Sequence, residues 1–138
     1  AKQAKSVTLV DIAEKMLEQA RIKAENQELQ NLTFLCRDLL AEPLEETFGI
    51  IIVSRVLHHM PNLDSSLAMF KEHLSPGGQL FIADYTVPDG ETHGFMISEL
   101  EEILKNHGFS DIQTQILYSS EHLFLDKPSQ LFLTSAIK

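Results

Sequence analysis

The stretch Phe48-Gly49-Ile50-Ile51-Ile52-Val53-Ser54 decides how the rest of the sequence is read. It is apolar without alternation, and Ile50 through Val53 are all β-branched. A continuous β-branched run of this length is what a strand covered on both faces needs, so it is expected near the centre of a parallel sheet. It is also the longest strongly apolar run in the chain, far short of the roughly 20 residues a bilayer span requires.

The flanking sequence alternates strand and helix patterns. Before the central run, residues 32–36 form a candidate strand closed by Arg37-Asp38, and residues 6–10 form another, carrying Val7, Leu9 and Val10 and ended by Asp11. Between them, Asp11-x-x-Glu14 matches a capping pattern, and Ile12, Met16 and Ala20 recur on one face of a helix reaching about residue 26. After the central run, Leu63, Leu67, Phe70 and Leu74 follow a helical period, with Asp64 near its start. Ser75-Pro76-Gly77-Gly78 reads as the stop of that helix, and residues 79–85 as the next strand. Pro88, Asp89 and Gly90 make a turn-rich loop. Ser98-x-x-Glu101 then reads as a capping box ahead of a stripe of Ile97, Leu100, Ile103 and Leu104, and Asn106-His107-Gly108 ends that helix. Residues 111–118 and 130–137 are strands with no helix between them, expected to pair antiparallel. The alternation predicts an α/β fold with a mostly parallel sheet.

Composition bounds the class. At 138 residues, 43% hydrophobic and 22% charged, the chain reads as one soluble domain, residues 1–138, whose core needs no disulfide or metal staple. The single Cys36 can form no intrachain disulfide, which fits a reducing compartment such as the cytoplasm. Its place inside an apolar strand reads as a buried structural thiol. Eleven basic against twenty acidic residues give a net charge of −9, which disfavours nucleic acid and anionic lipid as partners. Residues 1–6 precede only a short apolar stretch, so no secretory signal is read there.

In open α/β sheets ligands bind beyond the carboxyl ends of the strands. The residues to weigh are therefore Asp11, Asp38, Ser54-Arg55 and Asp84-Tyr85. Two carboxylates at the first two strand ends suit a ligand offering hydroxyls and amines, because an ionised carboxylate only accepts and can take both hydrogen bonds of a ribose diol. Asp11 equally fits a helix cap. No G-x-G-x-x-G or G-x-x-x-x-G-K-[ST] occurs, so a phosphate cradle is unsupported. Tyr85 and Tyr118 lack the lysine four positions on that a dehydrogenase pair would show. Of six histidines only His58 and His59 are close, and neighbours on a helix point about 100° apart, so no metal site is expected. No serine lies in a G-x-S-x-G elbow. The methionines and phenylalanines fall on apolar periods and read as core.

Taken in order, these strand ends resemble the class I, Rossmann-like S-adenosylmethionine-dependent methyltransferases of the small bacterial type. Val10-Asp11-Ile12 with Met16-Leu17-x-x-Ala20 is similar to that family's second strand and helix, and Phe34-x-x-x-Asp38-Leu39 to its third strand. Residues 48–53 followed by Ser54-Arg55-Val56-Leu57-His58-His59-Met60-Pro61 resemble its fourth strand and signature. Leu74-Ser75-Pro76-Gly77-Gly78-Gln79-Leu80 resembles the turn and fifth strand, and His93-Gly94-Phe95 with Asn106-His107-Gly108-Phe109 the closing part. The resemblance implies a three-layer sheet, mostly parallel, with an antiparallel C-terminal strand. It implies S-adenosylmethionine as cofactor, with Asp11 on the ribose hydroxyls, Ile12 against the adenine, Asp38 on the adenine amine and Leu39 beside the ring. Ser54 would contribute backbone contacts to the methionine moiety, and Leu57 would border the methyl donor. By location, His58, His59 and Tyr85 are the candidates for a general base. A small-molecule methyl acceptor is implied.

The sequence departs from the family at its front. The family's first strand, glycine-rich turn and following helix would precede Lys5, and no such segment is read there, so the expected architecture is a truncated sheet lacking that first strand and helix. Open sheet edges invite association, with a second copy as one partner. Two functional readings follow: a small-molecule methyltransferase, or a non-catalytic methyltransferase-like domain that completes its sheet through a partner chain.

Overall fold

The computed structural model describes residues 4–57, 60, 62–86, 97–124 and 127–138. Strand and helix alternate as β1 (Val7–Asp11), α1 (Glu14–Asn26), β2 (Leu32–Cys36), β3 (Phe48–Ser54), α2 (Leu63–Glu72), β4 (Leu74–Tyr85), α3 (Ile97–Asn106), β5 (Ser110–Phe124) and β6 (Lys127–Ile137). The chain divides into two compact units, Ala1–Pro43 and Leu44–Lys138. The predicted Pro88-Asp89-Gly90 loop lies outside the described residues.

The first unit is a βαβ element. β1 and β2 pair in parallel, from Val7 opposite Leu32 to Asp11 opposite Cys36. Between them α1 buries Leu17 and Ala24, seven residues and about two turns apart. Arg21 lies over the Phe34 ring, 5.1 Å from its centroid. The predicted stripe of Ile12, Met16 and Ala20 is corrected: Ile12 is 76% exposed, Met16 is exposed and Ala20 half-buried. The helix starts at Glu14, with Ala13 as a cap that makes no side-chain bond. Ile12 therefore precedes the helix and is off its phase, while Asp11 ends a strand rather than capping.

The second unit is a four-stranded sheet in the order β3-β4-β6-β5, with β3 parallel to β4 and β6 antiparallel to both β4 and β5. Its core is Val53, Leu80, Ile82, Phe132 and Ala136 from the sheet with Leu67, Phe70, Leu100 and Leu104 from the helices, all buried. Two polar ties fix helices to it. The Thr134 hydroxyl donates to Thr114 Oγ1 at 2.8 Å, and Thr114 Oγ1 donates to Glu101 Oε1 at 2.9 Å, joining β6, β5 and α3. Buried His73, the C-cap of α2, accepts the Leu44 N–H on Nε2 at 3.0 Å and so donates from Nδ1 to the Met69 carbonyl at 2.8 Å.

Several sequence expectations are corrected here. β3 has its predicted bounds but lies at a sheet edge, with Ile50 57% and Ile52 71% exposed. Apolar composition fits a strand for burial but does not specify which neighbours pair with it. The Ser75-Pro76-Gly77-Gly78 segment does not stop α2, which ends at Glu72; it lies inside β4. Phe48 pairs with Leu74 and Ile50 with Gln79, so five steps along β4 oppose two along β3. This bulge is where the glycines are used. Ser98 falls inside α3, and Glu101 takes its bond from Thr114 instead of closing a capping box. β5 and β6 extend beyond 111–118 and 130–137 into one long antiparallel pair.

A Cβ on Gly78 would sit 2.8 Å from the Ser75 carbonyl oxygen and 3.1 Å from that of Gly49, both backbone, whereas one on Gly49 would meet nothing within 4 Å. Gly78→Ala is expected to destabilise the fold by about 2 kcal/mol, since backbone must shift to admit the methyl. Gly49→Ala should be neutral or stabilising by about 0.5 kcal/mol. Urea unfolding of the two variants would read the contrast, and equal effects would contradict the crowding at the bulge.

Candidate functional site

In the first unit the parallel register brings Asp11 and Asp38 to the same end of the sheet. Asp11 is the last residue of β1 and Asp38 follows β2 by two positions. The Arg37 N–H donates to the Asp11 carbonyl at 3.0 Å, and the Cys36 thiol to the Ile12 carbonyl at 3.6 Å, so the chain beyond each strand stays tied to the other. Each aspartate closes its own Asx turn: Asp11 Oδ1 accepts the Ala13 N–H at 2.9 Å, and Asp38 Oδ1 accepts the Leu40 N–H at 3.0 Å. One oxygen of each carboxylate thereby fixes the group's orientation. The other oxygen has no ion-pair partner among the described residues. Arg37, the nearest cation in sequence, lies instead 3.7 Å from Glu42.

Ile12 and Leu39 flank these carboxylates, the first exposed and the second half-buried. A flat apolar ring would find one exposed aliphatic side chain beside Asp11 and one partly covered beside Asp38. Cys36 is exposed, which corrects the expected buried thiol. β2 belongs to a two-stranded sheet, and strand alternation turns Cys36 to the opposite face from half-buried Leu35.

In the second unit the carboxyl ends of parallel β3 and β4 gather Ser54, Arg55 and Tyr85. Ser54 pairs with Ala83, and the Arg55 N–H donates to the Ala83 carbonyl at 2.7 Å, carrying the ladder one residue past the strand. Ser54 is exposed and Tyr85 half-buried. Leu57 is 2% exposed and belongs to the core of this unit. Asp84, fully buried, accepts the Tyr85 N–H on Oδ1 at 2.8 Å. Arg55 has φ 55°, a left-handed backbone that sequence patterning does not reveal, because no glycine or asparagine marks it. His58 and His59 lie outside the described residues, as does the His93-Gly94-Phe95 segment.

The arrangement offers acceptors for hydroxyl and amine donors in one unit and a strand-end hydroxyl, phenol and cation in the other. Among the described residues no group of three His, Cys, Asp or Glu is placed to hold a metal ion. No helix among them is long and apolar enough to cross a membrane.

A family profile described as a methyltransferase domain matches residues 1–124, running through both units. The lovastatin nonaketide synthase mokA of Monascus pilosus is 30% identical over 159 aligned positions, covering 96% of this chain. The chain spans about 5% of that relative's length. A malonyl-[acyl-carrier protein] O-methyltransferase of Bacillus cereus is 33% identical over 57% of this chain and 28% of its own. Among solved structures, the N-methyltransferase NodS of Bradyrhizobium japonicum, in complex with S-adenosylhomocysteine, superposes with a TM-score of 0.77 at 16% identity. That match covers all of this chain and 69% of NodS, and shows a shared fold.

Proposed function

The chain belongs to the methyltransferase-domain family, and from that premise we propose that residues 1–138 act as one S-adenosylmethionine-dependent methyltransferase domain with a small-molecule acceptor. The observation that carries this reading is the pair of pre-oriented carboxylates, Asp11 and Asp38, at the carboxyl ends of adjacent parallel strands. A nucleoside offers what they can accept: Asp11 takes the two ribose hydroxyls and Asp38 the adenine amine, with Ile12 and Leu39 against the ring. When bound, the cofactor would supply an electrophilic methyl group on a positively charged sulfur, which an acceptor lone pair would take in line as the carbon–sulfur bond breaks and the neutral thioether leaves. Such transfer needs alignment and exclusion of water more than elaborate acid–base groups. By the resemblance, the backbone at Ser54 is assigned to the methionine moiety; Leu57, assigned to the methyl donor, is buried in the core of its own unit and would have to be uncovered to reach it. Tyr85, His58 and His59 are the groups within sequence reach that could take a proton from the acceptor.

The net charge of −9 supports a small acceptor over nucleic acid. The NodS complex supports the cofactor, and the name of the Bacillus relative gives a malonyl group carried on an acyl-carrier protein, a small acyl acceptor presented by a protein. A single cysteine is consistent with the cytoplasm as the site of action.

A second reading is favoured by β3, an apolar strand at a sheet edge with Ile50 and Ile52 exposed. It makes the chain a non-catalytic domain that completes its sheet through another chain, a second copy among them. Calorimetric titration with S-adenosylhomocysteine separates the two. The enzyme reading expects a Kd at or below about 100 μM, near −5.5 kcal/mol. No heat of binding at millimolar ligand would overturn it and leave the second reading standing.

A further inference from the structure

Arg55 stands directly after β3 in the left-handed region, at φ 55°. A residue with a Cβ is strained there, and glycine or asparagine is what such a position ordinarily carries. The backbone is held in this state from outside: the Arg55 N–H donates to the Ala83 carbonyl at 2.7 Å, at the point where β3 and β4 end side by side. The side chain is exposed and makes no hydrogen bond or ion pair with the described residues, so none of them offsets the strain through the guanidinium.

Charge sharpens the point. The chain carries −9, and the acids at strand ends, Asp11, Asp38 and Asp84, outnumber the bases. Of the two arginines following strands, Arg37 lies 3.7 Å from Glu42. Among the described residues Arg55 has no ion-pair partner. An unpaired, planar cation at the carboxyl end of parallel strands lies where open α/β sheets bind ligands, and its five N–H donors match a carboxylate bidentately.

We propose that Arg55 is an anion-recognition residue, whose guanidinium takes a carboxylate carried by one of the small molecules that meet at the end of β3. This rests on the methyltransferase reading, which brings two such molecules there. The carboxylate belongs either to the cofactor's amino-acid end or to the acceptor, and the strain at Arg55 is retained because the side chain serves a ligand.

The test uses two probe pairs, each differing by a carboxylate: S-adenosylhomocysteine against its decarboxylated analogue, the 3-aminopropyl thioether of 5′-thioadenosine, and malonyl-CoA against acetyl-CoA. Arg55→Gln is expected to weaken the carboxylate-bearing member of one pair about 10-fold, as loss of one charge-assisted contact implies, and its partner by less than about 2-fold. Which pair responds identifies the source. Arg55→Lys, keeping charge without the fork, should fall between. Arg55→Gly should raise Tm by relieving the backbone while reproducing the affinity loss of Arg55→Gln, a split that a purely structural role would not give. Equal weakening of both members of each pair, or of neither, overturns the proposal. Failure of the unaltered chain to bind either nucleoside overturns the cofactor reading instead, and the acyl pair then still reads Arg55.

Discussion

Replacing Asp11 by alanine is expected to weaken S-adenosylhomocysteine binding about 100-fold. Two charge-assisted hydrogen bonds to a ribose diol, each contributing about 1.5 kcal/mol, sum to about 3 kcal/mol, or two decades in Kd. The stability cost should be small, because the bond lost within the protein is one exposed Asx-turn contact to the Ala13 N–H; a loss of about 0.5–1 kcal/mol is expected. Asp11→Asn keeps Oδ1 as the acceptor for the turn but places an NH2 donor where the second carboxylate oxygen met the diol, so a loss of more than about 10-fold is expected with the fold unaffected. Titration calorimetry beside thermal melting reads both quantities. An alanine variant that binds like the unaltered chain would remove Asp11 from the site.

The largest stability effect is expected at Phe132. It is fully buried on β6, opposite Asp84 on β4 and Ile116 on β5, in line with buried Thr134 and Ala136. Truncating such a ring to alanine removes its transfer free energy and leaves a cavity on the buried face of the sheet, at about 3–5 kcal/mol. Against a typical stability of about 5–15 kcal/mol, that is enough to leave the second unit marginal. Its neighbour Leu133 is half-buried and turned to the opposite side of the sheet, so Leu133→Ala should cost about 1 kcal/mol. Urea denaturation would expose the difference, and comparable losses at both positions would contradict the burial assigned to β6.

The bounds of β2 and β3 are legible in the sequence to the residue, since a short, largely apolar run closed by Arg37 or Arg55 leaves little freedom. The antiparallel ending is legible too, because no helical period separates its two runs. What fails does so for identifiable reasons. The α1 stripe is miscounted because Asp11 looks like a cap, although strand pairing to Cys36 claims it first. Pro76-Gly77-Gly78 looks like a helix stop, yet the same residues suit a bulge, and only the partner strand decides between them. Cys36 looks buried because apolar neighbours surround it in sequence, while exposure depends on which face it takes. At the site, the positions of Asp11 and Asp38 beyond strands can be read directly. Their Asx turns and the left-handed Arg55 cannot, being properties of backbone angles that residue type does not determine.

The strand order β3-β4-β6-β5 also has a consequence in time. β4 is hydrogen-bonded on one side to a strand made before it and on the other to β6, the last strand in sequence order, with Gln79 paired to Ile137. Those two partners are 58 positions apart (137 − 79). At about 5–20 residues per second, a ribosome takes roughly 3–12 s to make that interval. Throughout it, β4 emerges with a long unpaired edge and with Leu80 and Ile82 waiting for cover. β5 arrives sooner but docks only through β6, so the sheet closes late and in one step. The nascent chain is therefore most exposed to chaperones, or to a neighbouring polysome's product, while β6 is still being translated.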